Sequence, residues 1–333
     1  MKITFISPRF YPEIGGVEKH AFEVAKRLIK KYEVTIITES TKRNKKEKIQ
    51  GINIQRFYFG KNSWFKKFRI WFTFLKFRKI IEKADIVHCH DVFFWYLPLR
   101  IIYPRKKIYV TFHGYETIFP LSGKAIFIRK LSEKLSKGNI CIGEYIKKWY
   151  GTNPTIVSYG GVNNKHSKTK KIGSRLKILF IGRIEEDTGV KIYLEVLRKL
   201  KNFKFEACGD GIFRKEFEKY GKVHGFVKKM DKYIQNSDVI FASSYLSMLE
   251  AMSFKKPVFS VYNNPLKKDY LKMTPFDKWI YVSNSTKILV NKIKAVSRNN
   301  KLRERNQNLA YNWVKDQSWD KITKDYLRLW KVI

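Results

Sequence analysis

A chain of 333 residues, 44% of them hydrophobic, is long enough for two domains of ordinary size and apolar enough for a core in each, which excludes a wholly disordered protein. The net charge of +40, from 69 Lys and Arg against 29 Asp and Glu, implies a polyanionic setting or partner: an anionic membrane face, a lipid-phosphate substrate or nucleic acid. Cys89, Cys141 and Cys208 form neither a CxxC pair nor a Cys/His ligand set, which argues against structural zinc and for a reduced, cytosolic protein.

The opening MKITFISPRFYP has one Lys, a short apolar run and no small-residue cleavage site, so it reads as a strand and not as a signal peptide. Residues 2–6 predict that strand, Gly15-Gly16 a turn, the next residues to about 30 a helix, and 33–38 a second strand, together a βαβ unit. Strands are further predicted at 54–57, 86–88, 107–111, 139–142 and 155–158. That alternation implies a doubly wound parallel sheet. Residues 165–177 are polar and basic, with Gly173 and Ser174, and read as a linker. A second alternation follows, with strands at 178–181, 204–207, 239–242 and 257–260 and helices at 189–200 and about 246–254. The expected fold is therefore α/β, with two Rossmann-like domains facing a central cleft. The first covers 1–165 and the second 166–312. A closing helical segment, 313–333, carries Trp313, Trp319, Tyr326, Leu327 and Trp330 as anchors. No stretch of about 18 uncharged apolar residues occurs, so no membrane span is expected.

The stretch 237–259 carries the most information about function. A buried strand leads through Ser243-Ser244 into a short helix with one acid, Glu250. Free N–H groups at such a helix start favour phosphate, and a carboxylate one turn on accepts hydrogen bonds from sugar hydroxyls. Arg183 leaves the strand 178–181 through Gly182, where a guanidinium can clamp a diphosphate; it could equally pair with Glu185 or Asp187. Gly15-Gly16 and Gly209-Asp210-Gly211 suit close backbone approach to a ligand, or simply tight turns. His113, in TFHGYE, sits at a strand end, where it can contact a substrate or satisfy a buried carbonyl. His88, His90, Asp91 and Glu116 are weaker candidates nearby.

Four segments stand in order: PRFYPEIGGVEKHAFEVAKRL at 8–28, FIGRIEEDTGVKIYLEVL at 180–197, ACGDG at 207–211 and SSYLSMLEAMSFKKPV at 243–258. With the tail NWVKDQSWDKITKDYLRLW they resemble the glycosyltransferase family 4 group of retaining transferases of GT-B fold. The resemblance implies a nucleotide-diphosphate sugar as donor substrate, no other cofactor and no metal. It places Arg183 on the diphosphate, Glu250 on the ribose, and His113 beside the transferred sugar. Gly15 and Gly16 face the donor phosphates and the acceptor, and Gly209 lies near the base. Three positions depart from the family pattern. Thr188 stands where a second phosphate-binding Lys is usual and can donate only a hydrogen bond. The first of two glutamates falls on Ala242 in a segment about five residues short, which leaves Ser243, Ser244, Leu246 and Ser247 to contact the donor. Asn163 replaces an Asp in GGVN.

Residues 42–83 hold fourteen Lys and Arg against two acids, ending in WFKKFRIWFTFLKFRKIIEK. On a helix, Ile70, Phe74, Phe77 and Ile81 form one apolar stripe and Trp64, Phe68, Trp71, Phe72 and Leu75 another. One suits the core; the other, in the segment 64–83, suits an anionic membrane interface. The resulting expectation is a retaining glycosyltransferase, cytoplasmic or peripheral on the inner membrane face, with a glycan or lipid-linked acceptor. A catalytically silent sugar-nucleotide binder is the alternative. Nucleic-acid binding lacks any recognition signature and a single basic patch, and a sugar-nucleotide epimerase lacks supporting acids.

Overall fold

The computed structural model describes residues 1–60, 65–116, 118–165 and 172–333. Trp64 and residues 166–171 of the predicted linker lie outside the described residues. The chain forms two compact units: Met1–Glu116, Pro120–Ser158 and Trp319–Ile333 make the first, and Tyr159–Ser318 the body of the second. The sequence boundaries at 165 and 312 thus shift to 158 and 318. The reason is local: Val162 N–H donates to the Gln317 carbonyl at 2.8 Å, and Val162 bridges Ser318, so both connecting segments belong to the second unit.

In the first unit, strands β1 (Lys2–Ser7), β2 (Glu33–Glu39), β3 (Lys45–Ile49), β4 (Ile52–Phe57), β5 (Ile86–His90), β6 (Ile108–Phe112), β7 (Asn139–Ile142) and β8 (Ile156–Ser158) form one sheet. Their order is β3-β4-β2-β1-β5-β6-β7-β8. Runs such as ITFI and IVHCH are buried on both faces, as strands between two helical layers must be. All described pairings are parallel except β3 with β4. Sequence reading missed β3. Its signal was the Gln50-Gly51 dipeptide, both residues at positive φ, which closes a tight hairpin. Lys45, Lys46 and Lys48 guard this sheet edge against further pairing. The hairpin also supports the loop after β1: Arg56 on β4 pairs with Glu47 at 2.6 Å and donates to the carbonyls of Phe10 and Tyr11.

The basic aromatic segment forms two helices, Lys66–Lys76 and Arg78–Lys83, separated at Phe77. Its stripes divide as their chemistry suggests. Ile70, Phe74, Phe77 and Ile81 enter the core, while Phe68 and Phe72 are exposed, joined by Phe65. Trp71 is half-buried and donates its indole N–H to the Phe94 carbonyl at 2.9 Å.

The closing helix, Trp319–Leu329, buries Trp319, Ile322, Tyr326 and Leu329 along one face. It packs on the helix Gly16–Leu28, where Arg27 pairs with Asp320 at 2.9 Å. Trp313, grouped with this tail in the sequence reading, instead ends the helix Asn300–Val314 of the second unit, beside Phe276 with ring centroids 5.1 Å apart.

The second sheet contains β9 (Leu176–Ile181), β10 (Phe203–Cys208), β11 (Gly221–Val223), β12 (Val239–Ala242), β13 (Val258–Ser260) and β14 (Tyr281–Val282), all parallel in the order β11-β10-β9-β12-β13-β14. Ile178, Phe180, Phe205, Ala207, Val239 and Phe241 fill one face against Val190, Tyr193, Val196 and Leu197 of the helix Val190–Lys199.

Candidate active site

In the second unit the strand order reverses between β9 and β12, and ligands of open parallel sheets bind outside the carboxyl ends at such a reversal. Ala242 is the register partner of Ile181, so Gly182-Arg183 and Ser243-Ser244 leave the sheet side by side. Gly182 has φ +149, and a Cβ there would lie 2.5 Å from Ser243 Oγ. A Cβ on Gly209 would lie 1.7 Å from the Gly182 carbonyl oxygen. Gly209 therefore serves the close approach of two backbone loops.

Arg183 pairs with Asp187 at 2.5 Å; the guanidinium side chain is half exposed and the carboxylate nearly buried. This is the pairing that the residues alone had left open. Thr188 is buried, with Oγ1 2.6 Å from the Glu185 carbonyl and 3.0 Å from that of Arg183. Its hydroxyl donates into its own turn and so shapes the Arg183 loop instead of offering a donor to a ligand. Lys191 pairs outward with Glu186 at 2.5 Å.

Ser244 caps the helix Tyr245–Ser253 in a reciprocal capping box with Ser247, their hydroxyl oxygens 2.9 Å apart. Both hydroxyls are engaged there. Tyr245 N–H donates to the Tyr270 hydroxyl at 2.9 Å. Among the described residues this leaves the Leu246 N–H as the first-turn donor without a hydrogen-bond partner. The Leu246 side chain packs at the Gly160 turn, where φ is +91 and a Cβ would lie 2.5 Å from Leu246 Cδ2. Glu250 is half-buried, three residues beyond Ser247 on the same helix face. Sequence reading missed Lys267. It is buried, and its ammonium donates to the Ser243 carbonyl at 2.7 Å. The available signal was Asn264-Pro265, a helix start after a third strand end.

In the first unit the order reverses between β1 and β5. His113 follows β6; its backbone N–H donates to Asp91 Oδ1 at 2.8 Å, and its Nε2 lies 2.8 Å from His90 Nδ1. His90 Nε2 is buried and has no partner among the described residues. A bare acceptor is the less costly orphan, which assigns the shared proton to His90 Nδ1 and leaves His113 with its own proton on Nδ1. Burial holds the His113 pKa well below the usual imidazole range, with His20, His88 and Arg129 adding to the effect, so the ring is neutral at pH 7. Asp91 is pushed up to about 6 by burial, against the opposing influence of Arg129. Gly15 and Gly16 open the helix that carries His20, whose ring meets His113 edge-on with centroids 4.8 Å apart. Glu18 folds back over Gly15, where a Cβ would lie 2.1 Å from its carboxylate oxygen.

The closing helix sets the protonation of this cluster. The Trp330 indole can only donate, and it donates to His88 Nδ1 at 3.0 Å. His88 then donates from Nε2 to Thr111 at 2.7 Å, Thr111 to the Tyr326 hydroxyl at 2.9 Å, and Tyr326 to His20 Nε2 at 3.0 Å. Burial pushes His20 down to about 3 and His88 and His90 well below their ordinary range. Such bases take up protons first in the unfolded chain. Their contribution to stability is therefore complete above about pH 6.5 and is lost as pH falls toward 3. The urea midpoint is expected to drop between pH 7 and pH 4.5; an unchanged midpoint would contradict the neutral cluster.

A concavity of about 350 Å³ in the second unit lies on a sheet face lined by Lys177, Lys204, Lys222, Lys232, Glu206 and His224. It sits toward the amino ends of β9 and β10 and shares no residue with the site described above.

Two parallel α/β sheets, each with polar groups gathered where its strand order reverses, define a GT-B glycosyltransferase fold. Residues 14–163 match the family described as Glycosyltransferase Family 4, and residues 162–313 match Glycosyl transferases group 1. The chain belongs to the family 4-like glycosyltransferases. No protein of curated function matches it in sequence. Its fold is similar to that of a glycosyltransferase from Rickettsia africae ESF-5, with 20% identity over 99% of this chain and 98% of that one and a TM-score of 0.72. It is also similar to Anabaena Alr3699/HepE in complex with UDP and glucose, with 12% identity over all of both chains and a TM-score of 0.74. A third similar structure is described as trehalose-6-phosphate from E. coli bound with UDP-2-fluoro glucose, with 11% identity over 100% of this chain and 99% of that one and a TM-score of 0.73.

Proposed function

We propose that this glycosyltransferase moves a sugar, with retention of anomeric configuration and without a metal, from a nucleotide-diphosphate sugar to a glycan or lipid-linked acceptor. The observation that carries the reading is that Arg183 and the Ser243-Ser244 turn leave neighbouring strands at the strand-order reversal of the second sheet, with Glu250 on the helix that follows. There the Leu246 N–H and Arg183 stabilise the charge that grows on the leaving diphosphate, and Glu250 accepts from the ribose. His113, neutral and protonated at Nδ1, donates a hydrogen bond to a sugar hydroxyl. The UDP and UDP-sugar complexes of the similar structures support a nucleotide-sugar donor. Nucleotide release from UDP-glucose or another nucleotide sugar, with glycan and lipid-linked acceptors supplied, tests this reading. Binding without release under any acceptor would favour the silent binder, for which the Arg183–Asp187 pair and the engaged Thr188 hydroxyl speak.

The acceptor side of the proposal includes an anionic membrane surface. Phe65, Phe68 and Phe72 are 61%, 45% and 69% exposed and recur at i, i+3 and i+7, among Lys66, Lys67, Arg69 and Lys76. No helix among the described residues is long and apolar enough to cross a membrane. Sedimentation with phosphatidylglycerol vesicles is expected to deplete the protein from solution, less so in high salt and less so for a Phe65→Ser/Phe72→Ser variant. Equal binding to neutral vesicles in high salt would overturn the electrostatic part.

A further inference from the structure

We propose that Lys267 is the second cation of the donor-phosphate site, its charge delivered from the helix after β13 in place of a lysine at position 188. The inference rests on the donor-site reading above and adds a residue to it.

The strand ends of β9, β12 and β13 are consecutive: Ala242 pairs in register with Ile181, and Phe241 with Phe259. The first end presents Arg183, the second the Ser243-Ser244 turn, and the third the segment leading to Lys267. Asn263 donates to the Glu186 carbonyl at 3.1 Å, which fastens the third loop to the turn after the first. Asn264 caps the helix Pro265–Lys272 by accepting from Lys267 N–H at 2.8 Å, which fixes where that side chain starts. Its ammonium ends 2.7 Å from the Ser243 carbonyl and 4.3 Å from the centre of the Tyr270 ring. The other side of that peptide, the Ser244 N–H, donates to Ser247 Oγ at 3.3 Å, so Lys267 steadies the capping turn from behind.

The charged and titratable groups around Lys267 include Asp187 and Arg183 from the turn after β9, Tyr270 on its own helix, and Tyr245, which stacks on Tyr270 with centroids 4.1 Å apart. The residue is 3% exposed. A methionine fills nearly the same volume without the desolvation cost, so stability alone does not account for a lysine here. Burial brings its pKa down to about 7, with Asp187 opposing and Arg183 assisting. An incoming diphosphate favours the charged form, so donor binding draws a proton onto Lys267. Lys267 acts from behind the turn, as a positioning and electrostatic residue.

Calorimetric titration of the full chain tests this. The probe is the tightest binder among UDP-glucose, GDP-mannose, ADP-glucose and dTDP-glucose, whose diphosphates do not titrate between pH 6 and 8.5. Wild type is expected to bind about tenfold more weakly at pH 8.5 than at pH 6 and to take up protons, read from buffers of different ionisation heat. Lys267→Met is expected to bind about tenfold more weakly than wild type at pH 6, with the pH slope gone, the parent nucleoside bound as before and the melting temperature not lowered. Binding by Lys267→Met within twofold of wild type at pH 6, or a retained slope, overturns the inference while leaving the donor site standing. Failure of every nucleotide sugar to bind wild type overturns the donor site itself, and this inference with it.

Discussion

Replacing Arg183 by alanine is expected to lower the rate of transfer by about 10² to 10³-fold, the usual cost of removing a group that meets charge developing in the transition state. The structure gives a reason to expect the upper end. Asp187 pairs with Arg183 at 2.5 Å and its own side chain is largely buried. Without Arg183, that carboxylate is left beside the diphosphate with no guanidinium to offset it. Arg183→Ala/Asp187→Asn is therefore expected to recover part of the loss, and a double-mutant cycle on kcat/KM reads the coupling. Unchanged transfer in Arg183→Ala would show that the pair is only a surface ion pair, which contributes little.

The second large effect is on stability. Trp330→Ala is expected to destabilise the first unit by about 3–5 kcal/mol, the range for a fully buried aromatic. Trp330 is 2% exposed, packs against Phe5 and His88 with ring centroids 6.1 and 5.7 Å away, and fixes the His88 tautomer through its indole N–H. Trp330→Phe keeps most of the packing and removes the donor, so it is expected to cost about 1–3 kcal/mol. Urea unfolding followed by circular dichroism measures both. Equal stability of wild type and Trp330→Ala would contradict the clasp formed by the closing helix.

Much of the architecture was legible because buried parallel strands are short apolar runs separated by amphipathic helices, a pattern that β1, β5, β9 and β12 display plainly. The resemblance carried by GGVEKH, GRIEEDTG and SMLEAM led to the same fold. What failed was local. β3 is a charged edge strand, and charge at an edge hides the alternation that reveals other strands. The helix break at Phe77 has no Pro or Gly to announce it. Trp313 and Trp319 look alike in sequence and belong to different units. In the site, the positions of Arg183, Ser243 and Glu250 were readable because strand ends predict where loops gather. Their hydrogen bonds were not. Thr188 bonds its own turn, the hydroxyls of Ser244 and Ser247 close on each other, and Lys267 comes from a helix some twenty residues downstream that only the strand order brings alongside. The relay from Trp330 to His20 joins residues some three hundred positions apart and is visible only in three dimensions.

The most direct test is a crystal structure of the chain with a bound nucleotide sugar. The diphosphate is expected against Arg183 and the Leu246 N–H, with the ribose on Glu250. A nucleotide seated instead in the lysine-lined concavity beside Lys177 and Lys204, with Arg183 still closed on Asp187, would contradict it.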